Sequence, residues 1–424
     1  MIYRLCGWLV KYTERHIPQS EKGFYMKTYC KKINILDYSF VSKCVYEFLK
    51  GDSVRDNKWT RSDFQHLMAE ASKVSYSQIK SDVAIRDLET LRMYSDNVAN
   101  IVYEKIVNLI VFDKPLKLPK IEHFTLHDGL SGKTRDCCKM EPIHQISEYV
   151  GLQALQELFN AKIEPYQCAS VRGRGQVYGK KAIEKWVRRD KDSTKYVQAD
   201  IIGCFKHISV ELVGKMLERD IGKNKNLIKY IKALLSSYKD NKLEIGTVLS
   251  ASLCNYVLSY IYRYALTITY KRRDKSIRAI KHILFYMDDL FFCGNNKKEL
   301  KKAIKEVEVY MLNNLDLELH EWTVKDVNEE PIDMMGYIIG FKRTTIRYRI
   351  FKRARRQFIR AINWLKHNAY LSLLRARKII AYFGYFKYSD SDYVSEKLRI
   401  KYIVNSAKKS VSFYSKKEET YYAV

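Results

Sequence analysis

Phe285-Tyr286-Met287-Asp288-Asp289-Leu290-Phe291-Phe292-Cys293-Gly294 sets two adjacent acids between two runs of strand-forming residues. Residues 280–285 lead in, residues 290–293 lead out, and Gly294 closes the unit. This is the pattern of a β-hairpin whose tight turn presents Asp288 and Asp289. Asp is a good turn residue, so a solvated turn accounts for either acid alone. Side by side at the tip of an apolar hairpin, however, two carboxylates repel each other and contribute nothing to folding. A bound divalent cation removes that conflict.

The chain has 424 residues, 46% hydrophobic and 29% charged, enough for two or three globular units around a sizeable core. Lys and Arg number 76 against 48 Asp and Glu, a formal net charge of +28. The excess runs along the whole length, which points to a polyanion partner, nucleic acid before membrane. The 33 Tyr and 17 Phe supply surface for stacking on bases as well as core. Nine scattered Cys with no CxxC pair argue for a reducing compartment and against a zinc site. Residues 1–10 are apolar but short and are followed by charges, so an amphipathic helix is expected there. No apolar run reaches membrane-spanning length, and a cytoplasmic protein is expected.

Working outward from the hairpin, residues 195–205 read as a strand that runs to an acid, with Tyr196, Gln198 and Asp200 on one face. Gly246-Thr247-Val248-Leu249-Ser250 opens a long helix with small residues, which allows a ligand or backbone to approach closely. Residues 297–312 form a lysine-rich amphipathic helix, and residues 333–350 carry a second hairpin pattern through Gly336 and Tyr337. Before the central acids, Ser131-Gly132-Lys133-Thr134-Arg135 and Ser170-Val171-Arg172-Gly173-Arg174-Gly175 combine flexible backbone with cations suited to phosphate oxygens. Residues 35–110 and the stretch from 352 to about 409 carry apolar residues at helical spacing. Residues 346–360 alternate cations with aromatics, the pairing expected where a protein grips a nucleic-acid backbone.

Taken in order, these features resemble the reverse transcriptase family. Tyr286-Met287-Asp288-Asp289 looks like its YxDD box, and Asp200 with Phe205 resembles the first motif of the polymerase palm. Gly246, Ser250, Leu253 and Asn255 match the G-x-x-x-S-x-x-L-x-N pattern that follows, and Gly336-Tyr337 looks like the primer-grip hairpin. The resemblance covers residues 121–402 and implies an α+β right-hand polymerase fold. The expected divisions are a helical N-terminal region (1–118), fingers (119–190), a palm (191–342, with an insert at about 210–245), a helical thumb (343–410) and a mobile tail (411–424).

The resemblance further implies an RNA-directed DNA polymerase working by two-metal nucleotidyl transfer. Asp200, Asp288 and Asp289 are then the catalytic acids, joined by Ile201 in holding two Mg²⁺ ions, with Mn²⁺ as a substitute. Lys133, Arg135, Arg172, Phe205, Gly246 and Ser250 take the deoxynucleotide, Phe205 excluding a 2′-hydroxyl. Tyr286, Met287, Gly336, Tyr337, Arg347 and Arg349 take primer and template. One departure is the missing Lys after Leu317-Glu318-Leu319, which leaves His320 or Lys325 to protonate pyrophosphate, or a purely structural His320. The chain resembles the stand-alone bacterial enzymes, in particular those of phage defence, which implies work on a co-encoded structured non-coding RNA, with a DNA product and no membrane. The alternatives are untemplated or protein-primed synthesis by the same site, with Tyr414, Tyr421 and Tyr422 as conceivable primers, or a diversity-generating or retron-like polymerase.

Overall fold

A computed structural model describes residues 28–51, 57–127 and 134–422, with side chains as far as Tyr414. Four helices come first: α1 (Tyr38–Lys50), α2 (Ser62–Ser72), α3 (Tyr76–Ile85) and α4 (Leu88–Ile110). Asp37, Ser75 and Asp87 start three of them by accepting hydrogen bonds from first-turn amides. A hairpin follows, β1 (Glu122–His127) with β2 (Thr134–Lys139), then α5 (Pro142–Ala154) and α6 (Gln156–Lys162), the short β3 (Gln167–Cys168) and α7 (Gln176–Arg189). Helices α5 and α6 part at Leu155, whose ψ of 1° leaves helical geometry.

The centre is built from β4 (Lys195–Asp200), α8 (Cys204–His207), α9 (Val210–Ile221), α10 (Lys225–Leu235), α11 (Val248–Thr267), the hairpin β5 (Thr269–Arg272) and β6 (Lys275–Arg278), β7 (His282–Tyr286), β8 (Asp289–Gly294), α12 (Lys297–Leu315) and β9 (Lys325–Asp326). Five strands form one sheet in the order β3-β7-β8-β4-β9, with β3 parallel to β7 and the other pairs antiparallel. Both faces of this sheet are covered. Ile283, Phe285, Leu290, Phe292 and Val197 point into one core, while Leu284, Phe291, Cys293 and Tyr196 point into another. Burial on both faces explains why β7 and β8 are unbroken apolar runs rather than alternating ones.

The larger core continues into the N-terminal helices. Val45, Phe64, Met68 and Val98 share it with Ile231, Leu253, Val257 and Ile304. Asn224 reinforces the join by donating to the carbonyls of Cys30 and Ile33, at 2.8 and 2.7 Å. The smaller core lies between the sheet, α7 and a second sheet, β10 (Ile332–Met334), β11 (Tyr337–Ile339) and β12 (Thr344–Ile346). Helices α13 (Tyr348–Leu365), α14 (Leu373–Lys387), α15 (Asp392–Lys397) and α16 (Ile400–Tyr422) pack on one another around Ala354, Phe358, Ile379 and Ile403. Helical backbone therefore continues through residues 411–422, where a tail was expected. The second hairpin is also shorter than expected: Tyr348, Arg349 and Ile350 open α13 instead of extending β12. No helix among the described residues is long and apolar enough to cross a membrane.

Candidate active site

Strands β7 and β8 form the hairpin read from the sequence, paired from His282↔Cys293 to Tyr286↔Asp289. Met287 and Asp288 make the turn, Met287 at a φ of +56°. Strand β4 runs alongside β8 and ends with Asp200 directly opposite Asp289. The Ile201 amide donates to the Asp288 carbonyl at 3.1 Å, which ties the turn to the end of β4. The three acids therefore share one end of the sheet. Asp288 is exposed, and Asp200 and Asp289 are half-buried.

The turn is held from behind. The Asn255 side chain on α11 donates to the Ala169 carbonyl (3.1 Å) and contacts the Met287 sulfur (3.4 Å), while the main-chain carbonyl of Asn255 accepts from the Gln167 side chain (2.7 Å). One side chain thus links α11, the acidic turn and the start of the 170–175 loop. Beneath lie two buried thiols, Cys204 and Cys254, 3.6 Å apart. The hydrogen bond to Cys254 and burial push the Cys204 thiol up, and the nearby charges of Asp288 and Asp200 add to this. Gln167 carries no local sequence signal, since it sits on a strand of two residues.

The other residues singled out in the sequence fall into three groups. Arg135 and Arg172 are exposed on β2 and on the 170–175 loop, and Phe205 is half-buried on α8. An ion pair of 2.7 Å between Lys206 and Asp136 holds α8 against β2, which brings Phe205 and Arg135 onto neighbouring elements. Lys133 lies outside the described residues, as do residues 1–10. Ser250 and Tyr337 are buried, at 0% and 1% exposure. The Ser250 hydroxyl accepts from the Glu244 amide (2.8 Å), and the Tyr337 ring packs against Tyr385 (5.5 Å), so both side chains are occupied with packing. Gly246 has a φ of +131°, and a Cβ there would fall 2.4 Å from the Cys138 carbonyl. Close approach to β2 is what demands the glycine.

Gly336 closes the β10–β11 turn at a φ of +79°, its added Cβ meeting Tyr385 at 2.8 Å and Ile350 at 2.9 Å. Arg347 donates through its amide to the Gly336 carbonyl (3.0 Å) and pairs through its guanidinium with Asp333. Tyr286 is half-buried against the smaller core, and Arg349 is exposed at the start of α13. His320 and Lys325 separate clearly. The His320 amide donates to the Asp200 carbonyl at 2.9 Å, and its ring lies 3.9 Å from the Asp200 carboxylate. Lys325 pairs with Glu330 and stands opposite Tyr196, at the far end of β4.

Residues 132–339 match the family model described as reverse transcriptase (RNA-dependent DNA polymerase). They are a reverse transcriptase domain. The chain is accordingly an RNA-directed DNA polymerase, a nucleotidyltransferase, with a nucleic-acid template and deoxynucleotides as its substrates, and the domain implies the right-hand polymerase fold. No curated protein matches the chain.

Reverse transcriptases generally use divalent ions such as Mg²⁺. Among the described residues no three His, Cys, Asp or Glu side chains converge into a ready cation site. The donors nevertheless fit Mg²⁺, which is commonly held by one or two carboxylates while water and substrate phosphates complete its shell. Asp200 and Asp289 face each other across two strands with exposed Asp288 beside them, an all-oxygen set open on one side.

Proposed function

We propose that this reverse transcriptase domain copies RNA into DNA by two-metal nucleotidyl transfer at Asp200 and Asp288, with Asp289 alongside. The observation that supports it best is the register that sets Asp200 against the acidic turn of β7 and β8. Asp200, Asp288, Asp289 and the Ile201 carbonyl would hold the ions. When bound, these lower the pKa of the primer 3′-hydroxyl and neutralise charge developing on the phosphates. The hydroxyl oxygen bonds to the α-phosphorus and pyrophosphate leaves. Arg135 and Arg172, with Lys133, carry positive charge towards the triphosphate. The ring of Phe205 packs under the deoxyribose. The turn through Met335 and Gly336, with Arg347 and Arg349 beside it, takes the primer end; Tyr286 and Met287 flank it. Tyr337, Ser250 and Gly246 support these surfaces from within.

In this reading residues 119–190 are fingers, 191–342 palm and 343–410 thumb, preceded by the N-terminal helices. The template is a structured non-coding RNA, and the likeness to stand-alone bacterial enzymes supports a role in phage defence. Primer extension tests the assignment. Asp288→Asn should lower the rate on the order of a hundred- to a thousandfold, the size of effect seen when one electrostatic group of an active site is removed. RNA binding should persist. Retained extension would overturn the site, and a product not complementary to the bound RNA would favour untemplated synthesis.

A further inference from the structure

Between α11 and β7 the chain makes an excursion that touches the larger core through Tyr270. Residues 271–278, Lys-Arg-Arg-Asp-Lys-Ser-Ile-Arg, carry five cations and one acid, and all eight are exposed. They form most of the β5–β6 ribbon, whose local energetics are adverse. Arg272 stands directly across from Lys275, a like-charge pair that destabilises a sheet. The two loop residues, Arg273 and Asp274, have φ of 48° and 60°, a left-handed turn that favours Asn and Gly. Non-glycine residues are strained in that conformation, Arg more than Asp. A bare two-stranded ribbon is at best marginal in water. Among the described residues no acid pairs with Lys271, Arg272, Arg273, Lys275 or Arg278, and Asp274 at the tip does not neutralise them.

The base of the ribbon is nonetheless firmly fixed. The Ala279 amide donates to the Ile268 carbonyl (3.1 Å), and the Lys281 amide to the Cys293 carbonyl (2.7 Å). These contacts lie at the end of β7 and β8 opposite the acidic turn. Five residues of β7 separate the two ends, about 17 Å at the usual strand rise. Just past Gly294, which packs on the Ala279 carbonyl, α12 opens with exposed Lys297 and Lys298 in its first turn, while the acid there, Glu299, pairs with Lys302 one turn on. The helix dipole disfavours cations at that position. Two adjoining elements thus concentrate an excess of positive charge on a face remote from the three acids of the turn.

We propose that this face, the β5–β6 ribbon with the start of α12, grips the phosphate backbone of RNA outside the catalytic cleft. A polyanion relieves the cross-strand repulsion and the charge at the start of α12 together. RNA is the occupant because, before the first nucleotide is joined, the template is the one long polyanion the established activity has the protein hold. The proposal rests on the RNA-copying reading above. In it the ribbon anchors a second segment of the same RNA while another segment is copied.

The test compares the full chain with its Lys271→Gln/Arg272→Gln/Lys275→Gln/Arg278→Gln variant, whose changes touch no core. Binding of a long structured RNA is measured across a salt series. Each phosphate contact contributes a slope of about 0.7 to 0.9 in log affinity against log salt, so loss of three or four contacts should flatten it by about 2 to 4. Affinity at physiological salt should fall at least about tenfold. Extension of a short template–primer carrying no further RNA should be unchanged. Lys275→Glu provides the control for ribbon unfolding: it places an opposite charge across from Arg272, strengthens the ribbon, and should still weaken RNA binding. Unchanged slope and affinity in the quadruple variant would overturn the proposal. So would a loss confined to binding of anionic phospholipid vesicles, or a DNA of equal length that outcompetes the RNA. Failure of the unaltered protein to copy any RNA would instead overturn the reading of the active site.

Discussion

Phe205 carries the most specific prediction at the scale of a single residue. It follows the αL turn at Gly203, sits half-buried on the first turn after β4, and packs on the larger core. Its ring is held in place rather than free to swing aside. If it seats the sugar, Phe205→Ala should lower the preference for deoxynucleotides over ribonucleotides on the order of a hundredfold in kcat/KM, since steric rejection is lost with the ring. An unchanged ratio would remove Phe205 from the site. Residue type and spacing single out this position and the three acids in the sequence. They single out Ser250 and Tyr337 in the same way, and the side chains of these two are enclosed. A hydroxyl or a phenol in a recognisable motif reads the same in sequence whether it faces a ligand or a neighbouring helix.

At the scale of elements, a buried polar network joins α5 to the start of α11. The Tyr238 hydroxyl donates to Glu148 (2.6 Å) and meets Thr247 (3.0 Å), and Thr247 in turn accepts from the Ser250 amide (2.9 Å). Glu244 accepts from His123 on β1 at 3.0 Å, which draws the first hairpin into the same network. Burial pushes the Glu148 carboxyl up to about 7, against the opposing hydrogen bonds of Tyr238 and Thr247. The folded state therefore binds this proton more tightly than the unfolded chain, whose value is near 4.5. The associated stability is full below pH 4.5 and is lost as pH rises to about 7. Glu148→Gln keeps the shape without the charge. Relative to the unaltered protein it should gain on the order of 2 to 3 kcal/mol at pH 8 and little at pH 5, read from denaturant melts at both values. Equal differences at the two pH values would show that Glu148 is not the group concerned. None of this was visible in sequence, because Glu148 lies on an ordinary amphipathic helix and its partners Tyr238 and Thr247 come from the distant stretch between α10 and α11.

For the whole molecule, the joint between the C-terminal helices and the rest runs through one buried lysine. Lys180 on α7 is 6% exposed, pairs with Glu184 at 2.9 Å and donates to the Tyr388 carbonyl at 2.7 Å. Glu184 accepts from Thr344 on β12, and the Thr344 amide donates to Asp390 (2.7 Å). Lys180→Met leaves Glu184 with Arg188 alone as its cation, at 3.6 Å, removes the donor to the Tyr388 carbonyl, and should destabilise the joint by on the order of 2 kcal/mol. Because α13 to α16 have a core of their own, calorimetry should then show an added transition at lower temperature. A single unshifted transition would contradict this account.

The order of motifs, the acidic turn, the strand ending in Asp200 and the small-residue start of α11 were all legible in the chain, because each rests on local periodicity and residue type. So was the basic character of the whole. Tertiary structure alone decided the register that sets Asp200 opposite Asp289, the placing of His320 beside Asp200 with Lys325 at the far end of β4, the enclosure of Tyr337, and the single core shared by the N-terminal helices and the central sheet. These depend on pairing between segments far apart in sequence. Strand register and burial are fixed by the partner that arrives, and a local pattern carries no record of which partner that is.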